Sequence, residues 1–163
     1  MAKKTGFIIA AIFVLAGVIG SQNTEKKQTY TNPVINEIGP ADPCVIFHKG
    51  KYYLYPTGDN RSYHVYTSSD LVHWEKGAKV FEPGGINIWA PDVFHDPGDK
   101  KFYLYYTANK RIGVAVAHKP DGTFVDRVTL FQNAIDAHMF RDEEAGTTST
   151  MYNFRDLESV CSG

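Results

Sequence analysis

Three stretches of this chain begin alike, just under fifty residues apart. The first runs DPCVIFHKGKYYLY from Asp42, the second APDVFHDPGDKKFYLYYT from Ala90, and a third opens as IDAHMFRDEE around Asp136. Aligning Asp42, Ala90 and Asp136 gives steps of 48 and 46 residues, and Tyr52-Tyr53-Leu54-Tyr55 then overlays Phe102-Tyr103-Leu104-Tyr105. A period near fifty, built of short strands, is the mark of a β-propeller blade, a unit that cannot bury its own faces and needs neighbours around a ring. The repeat therefore predicts an all-β fold and a partial propeller, with two complete blades and the start of a third.

The content of each copy agrees. Cys44–Phe47 is a continuous apolar run, as expected of a strand buried on both faces. Lys49-Gly50-Lys51 is a turn, Tyr52–Pro56 the returning strand, and Tyr63–Ser68 a third strand before Ser69–Trp74 (SDLVHW) closes the blade. In the second copy Asp92–His95, Phe102–Thr107 and Ile112–His118 repeat that order, with turn chemistry at Asp96-Pro97-Gly98-Asp99 and Lys119-Pro120-Asp121-Gly122. Aromatic residues make up 13% of the chain, which suits half-buried pleated strands. The third copy breaks the pattern: Gly146–Thr150 stands where the aromatic strand is due. Residues 145–163 accordingly read as an aberrant tail, either a frameshift from a lost nucleotide or a divergent C-terminus.

The ends carry other signals. Lys3 and Lys4 precede an apolar run from Gly6 to Gly20, the pattern of a signal peptide over residues 1–20. Ser21 stands where a lipoprotein would carry its cysteine, and an uncleaved anchor is the rival reading. Residues 21–31 are a polar tether. The expectation is export to the periplasm or exterior, with no stable membrane association once the signal is removed and association at the outer surface as a variant. A formal net charge of −1 with scattered Lys and Arg argues against a nucleic-acid partner. Two cysteines make no disulfide framework; Cys44 reads as a small buried hydrophobe and Cys161 lies in the tail.

The ordered set Ala41-Asp42-Pro43, SSDLVHW, Trp89-Ala90-Pro91-Asp92 and Ala134-Ile135-Asp136 resembles glycoside hydrolase family 43 over residues 32–144. The resemblance implies a five-bladed β-propeller that hydrolyses O-glycosidic bonds of arabinose- or xylose-containing plant polysaccharides with inversion. It implies Asp42 as general base and Asp136 as the aspartate that raises the acid's pKa and orients it. Inversion needs a base to activate water and an acid to protonate the leaving oxygen, about 6.5–9.5 Å apart. A neighbouring negative charge keeps the acid protonated near neutrality. Alone, Asp42-Pro43 would read as a turn; its coincidence with Asp136 at one repeat position favours chemistry.

Trp89 and His138 are the candidate substrate-binding residues. Trp89, one residue ahead of an anchor, reads equally as a sugar-pocket wall or as blade packing. Asp92 reads as structural, His73 and Trp74 as outer packing, and His48 and His95 as solvated. No His, Cys or carboxylate pair has zinc spacing, so no metal ligand is expected. The family's general acid, a glutamate of a later blade, has no motif match in Glu143, Glu144 or Glu158. The histidine near which many members hold a central metal is likewise unmatched, so no cofactor is required here and a structural calcium would be held outside these residues. The 163-residue chain is expected to be a truncated, inactive hydrolase; the competing readings are a non-catalytic carbohydrate-binding propeller fragment and a misfolded truncation product.

Overall fold

The computed structural model describes residues 29–37, 39–141 and 148–153. They form ten strands, and no helix occurs among the described residues. Strands β1 (Ala41–His48), β2 (Lys51–Thr57), β3 (Tyr63–Ser68) and β4 (Glu75–Phe81) make one antiparallel sheet in sequence order. Strands β5 (Ile88–His95), β6 (Phe102–Ala108), β7 (Arg111–Ala117) and β8 (Val125–Gln132) make a second. A third unit opens with β9 (Ile135–Arg141) paired to β10 (Thr148–Asn153). Two four-stranded blades and the opening hairpin of another confirm the all-β partial propeller.

Local chemistry explains the meander. The β1–β2 turn places Lys49 at φ 49° and Gly50 at φ 81°. Positive φ at both central residues is the hairpin geometry that matches the twist of paired strands. Asn109 and Lys110, at φ 50° and 58°, do the same between β6 and β7. The short connections keep successive strands adjacent, which yields one sheet per repeat.

Each sheet then needs a neighbour. Tyr55, Tyr63, Val65, Val80 and Phe81 of the first blade pack against Ile88, Phe102, Leu104 and Tyr106 of the second. Burying each such large side chain contributes about 1.5–3 kcal/mol. Tyr105, Ile112 and Val114, on the opposite face of the second blade, pack against Ala134 and Ala137 of the third. Because side chains alternate along a strand, β6 sends Leu104 and Tyr106 to one interface and Tyr105 to the other. Its run of aromatic residues is thus the signature of a blade with neighbours on both sides. On β1 the alternation leaves Val45 and Phe47 exposed, on the side away from the second blade.

Backbone hydrogen bonds join the blades in a repeated way. Asn60, in the turn after β2, accepts from Ile88 N at 2.9 Å; Lys110, in the turn after β6, accepts from Ala134 N at 3.1 Å. Both acceptors have left-handed backbones, which turns their carbonyls towards the next blade. Further along the first interface Tyr55 donates its hydroxyl to Pro120 O at 2.7 Å, and Phe124 N donates to Val80 O at 2.7 Å.

Several expectations change. The inner strand of the second blade begins at Ile88 rather than Asp92 and so contains Trp89 and Ala90. The SSDLVHW stretch is the bend leading into β4, not an outer strand. His73 there is exposed and paired to Asp70 at 2.7 Å, so it does not pack, while Trp74 Nε1 donates to Leu71 O at 3.0 Å. His48 and His95 are not simply solvated: their rings lie 4.7 Å apart, each also against Phe102. The sequence offered no strand near residues 146–150, yet β10 pairs Thr148 with Arg141 and Thr150 with Met139, carrying the sheet past residue 144. Its backbone hydrogen bonds do not require the aromatic alternation whose absence hid it. The expected signal segment of residues 1–20 and the tail beyond residue 153 lie outside the described residues, as do Glu143, Glu144, Glu158 and Cys161.

Candidate active site

The inner strands β1, β5 and β9 share one irregularity. Pairing slips between Ala41 and Cys44, between Trp89 and Asp92, and between Ile135 and His138. Within those slips Asp42, Ala90 and Asp136 have left-handed backbones, at φ 44°, 44° and 57°. A bulge bends its strand and re-aims one side chain, and a left-handed backbone costs an L-residue about 1–2 kcal/mol. Ala90 bears this strain with no functional group to present. The bulge therefore belongs to the blade, and the aspartates occupy a position it re-aims.

What holds the bulge is a buried threonine from the preceding blade. Thr57, at the end of β2, accepts from Ala90 N at 2.8 Å. Thr107, at the end of β6, accepts from Asp136 N at 2.9 Å. Two residues past each anchor a second acceptor works across the same interfaces. Cys44 Sγ accepts from Val93 N at 3.2 Å, and Asp92 Oδ2 accepts from Met139 N at 2.8 Å. Cys44 is thus more than a small hydrophobe; its thiol is pushed up to about 12, first by burial and then by the charge of Asp92. It is no candidate nucleophile, since the thiolate is the reactive form.

The three inner strands enclose a cleft of about 350 Å³, whose lining includes Cys44, Ala90, Asp92, Asp136 and His138. Asp136 is held above the ordinary carboxylate range, first by partial burial and then by the negative charge of Asp42. That coupling places the two aspartates within electrostatic reach of each other, although they come from the first and third units. Asp42 Oδ2 accepts from Thr57 Oγ1 at 3.2 Å. His138 lies in the cleft wall with its side chain 66% exposed, its Nδ1 3.1 Å from Asp92 Oδ1. Asp92 is structural, and it also orients this imidazole.

Trp89 is half-buried, its carbonyl accepting from the Tyr63 hydroxyl at 2.9 Å. Among the described residues no three His, Cys, Asp or Glu side chains could hold a metal ion, so these residues do not fit a resident metal. Thr57 and Thr107 escaped the sequence reading. Their signal was present: Tyr55-Pro56-Thr57 and Tyr105-Tyr106-Thr107 end the same strand of successive repeats.

The fold agrees with comparisons to known proteins. The model of Glycosyl hydrolases family 43 matches residues 30–156, and the chain belongs to that family. It is 29% identical over 145 residues to Xylosidase/arabinosidase 43A of Humicola insolens, covering 69% of this chain and 43% of that protein. It is 32% identical over 138 residues to a probable arabinan endo-1,5-alpha-L-arabinosidase C of Aspergillus terreus, covering 69% and 42%. A thermostable family-43 glycoside hydrolase of known structure superimposes with a TM-score of 0.67 at 34% identity, covering 76% of this chain and 44% of that one. The chain spans less than half the length of these relatives.

Proposed function

We propose that these blades form part of the catalytic domain of an exported glycosidase that hydrolyses arabinosyl or xylosyl O-glycosidic bonds with inversion. Asp42 is the general base, which takes a proton from the attacking water as that oxygen bonds to the anomeric carbon. Asp136 is the neighbouring carboxyl that orients the general acid and keeps it protonated. The acid is a glutamate for which these residues offer no motif match, and it protonates the departing oxygen. One observation carries the reading: two aspartates sit at the same bulged position of non-adjacent units, Asp136 on the cleft wall and Asp42 next to its lining residue Pro43, with Asp136 raised by burial and by the charge of Asp42. A carboxyl that feels a like charge is what an acid–base pair needs if one member is to stay protonated.

The relatives' names, xylosidase/arabinosidase and arabinan arabinosidase, support pentosides as the substrate class. His138, held by Asp92 on the cleft wall, binds a sugar hydroxyl, and Trp89, one residue ahead of the Ala90 anchor, offers an apolar face to the sugar. The test is proton NMR of the complete gene product acting on aryl α-L-arabinofuranoside and aryl β-xyloside. The first sugar released should have the anomeric configuration opposite to its substrate, and Asp42→Ala should abolish turnover. Retention of configuration, or full activity in Asp42→Ala, would refute the assignment. A protein that binds these sugars without cleaving them would be a carbohydrate-binding propeller instead.

A further inference from the structure

We infer that Thr57 is a positioning residue for the base, setting the Asp42 carboxylate from within the interface of the first two blades; the inference rests on the proposed role of Asp42. Thr57 is 5% exposed and its hydroxyl has two partners. Ala90 N donates to Oγ1 at 2.8 Å, and Oγ1 stands 3.2 Å from Asp42 Oδ2. A hydroxyl carries one hydrogen and two acceptor sites. With an acceptor site filled by the fixed amide of Ala90, its hydrogen is directed to Oδ2. The other carboxylate oxygen, Oδ1, is then left to accept the proton of the attacking water in the proposed reaction.

Comparison with the next interface separates this role from plain blade packing. Thr107 holds the same register position, opposite Trp89 as Thr57 is opposite Ala41, and accepts the next anchor amide in the same way. Its own blade has Ala90 where the first has Asp42, so Thr107 has no anchor carboxylate to orient. The amide contact is common to both interfaces, and the carboxylate contact is particular to Thr57. The two contacts make opposite demands on a substitution. Blade closure needs only an acceptor for Ala90 N, whereas carboxylate placement needs a donor at the same atom.

The experiment uses the complete gene product and the variants Thr57→Val and Thr57→Ser. Val keeps the shape and removes the hydroxyl; Ser keeps the hydroxyl. Misplacement of a reacting group by about 1 Å costs roughly a hundredfold in rate, so Thr57→Val should lower kcat by about that factor with KM little changed, and Thr57→Ser should restore it. Equal losses in Val and Ser would overturn the inference. Should Thr57→Val fail to fold, Thr57→Ala leaves room for a water at Ala90 N and is expected to show the same kcat loss. If the wild-type protein cleaves neither glycoside, the proposed function fails, and the crystal structure of the Thr57 variant decides this question separately. The carboxylate of Asp42 should rotate away from its wild-type position; an unmoved carboxylate overturns the role of Thr57 whatever the activity.

Discussion

Thr107→Val should loosen the second and third units without opening a cavity. Thr107 is fully buried, and its Oγ1 is the acceptor for Asp136 N at 2.9 Å. Valine has nearly the same shape, so packing is retained and the change isolates the hydrogen bond. Removing one partner and leaving a buried donor unsatisfied costs about 1–3 kcal/mol. The lower half of that range is expected, because Asp136 itself is exposed and water can approach it. Thr107→Ser is the control: it keeps the acceptor and loses one methyl, at about 0.8 kcal/mol of lost burial. Urea unfolding followed by tyrosine fluorescence gives both midpoints, and an unchanged slope shows that the same surface is being exposed. Hydrogen exchange at the Asp136 amide should accelerate in the valine variant and not in the serine variant. Equal stability of wild type and Thr107→Val, with the Asp136 amide still protected, would refute the view that this hydroxyl closes the interface.

Gly113→Ala should destabilise by about 1–3 kcal/mol, as overpacking does, because a Cβ there would fall within the ring of Tyr106, whose hydroxyl is tied to Asp126 at 2.7 Å; a thermal midpoint equal to wild type would contradict the packing. Asp136→Asn should stabilise at neutral pH: the folded pKa is raised above 3.8, so the carboxylate lowers stability as pH climbs through the window from that value to the raised one. Urea midpoints against pH should show the gain vanishing below pH 3.8, and a gain that persists in acid would show another cause. N-terminal sequencing of the protein made in its host should find it starting near Ser21, and a membrane-bound product starting at Met1 would favour the anchor.

The architecture was legible because β-propeller blades repeat their buried pattern, and the aromatic strands Tyr52–Tyr55 and Phe102–Tyr105 face neighbours on their buried sides. Asp42 and Asp136 were legible for the same reason, as equivalent positions of one repeat. What escaped was whatever depended on neither hydrophobicity nor spacing. The backbone of β10 pairs with β9 although Gly146–Thr150 has no apolar alternation. The first three residues of β5, Ile88 to Ala90, were missed because a bulge interrupts alternation just where Pro91 discourages a strand reading. The imidazoles of His48 and His95 meet because they end equivalent inner strands, a contact between blades that no local pattern contains.

The threonine staples tie the chemistry to the fold. The bulges at Ala90 and Asp136 are each held at the anchor amide by a threonine of the preceding blade, Thr57 and Thr107, and Asp42 takes the same left-handed backbone at the first anchor. Ala90 shows that the position is a structural constant whether or not a carboxyl occupies it. Alternation of Asp, Ala and Asp then sets the spacing of charge: two carboxyls in adjacent units would crowd, whereas an intervening alanine leaves room in the cleft and still lets Asp42 raise Asp136. The same oxygen links blade closure to the Asp42 carboxylate. A substitution that removes the Thr57 hydroxyl takes away the partner of Ala90 N and the donor to Asp42 Oδ2 together, because both are one oxygen atom of Thr57.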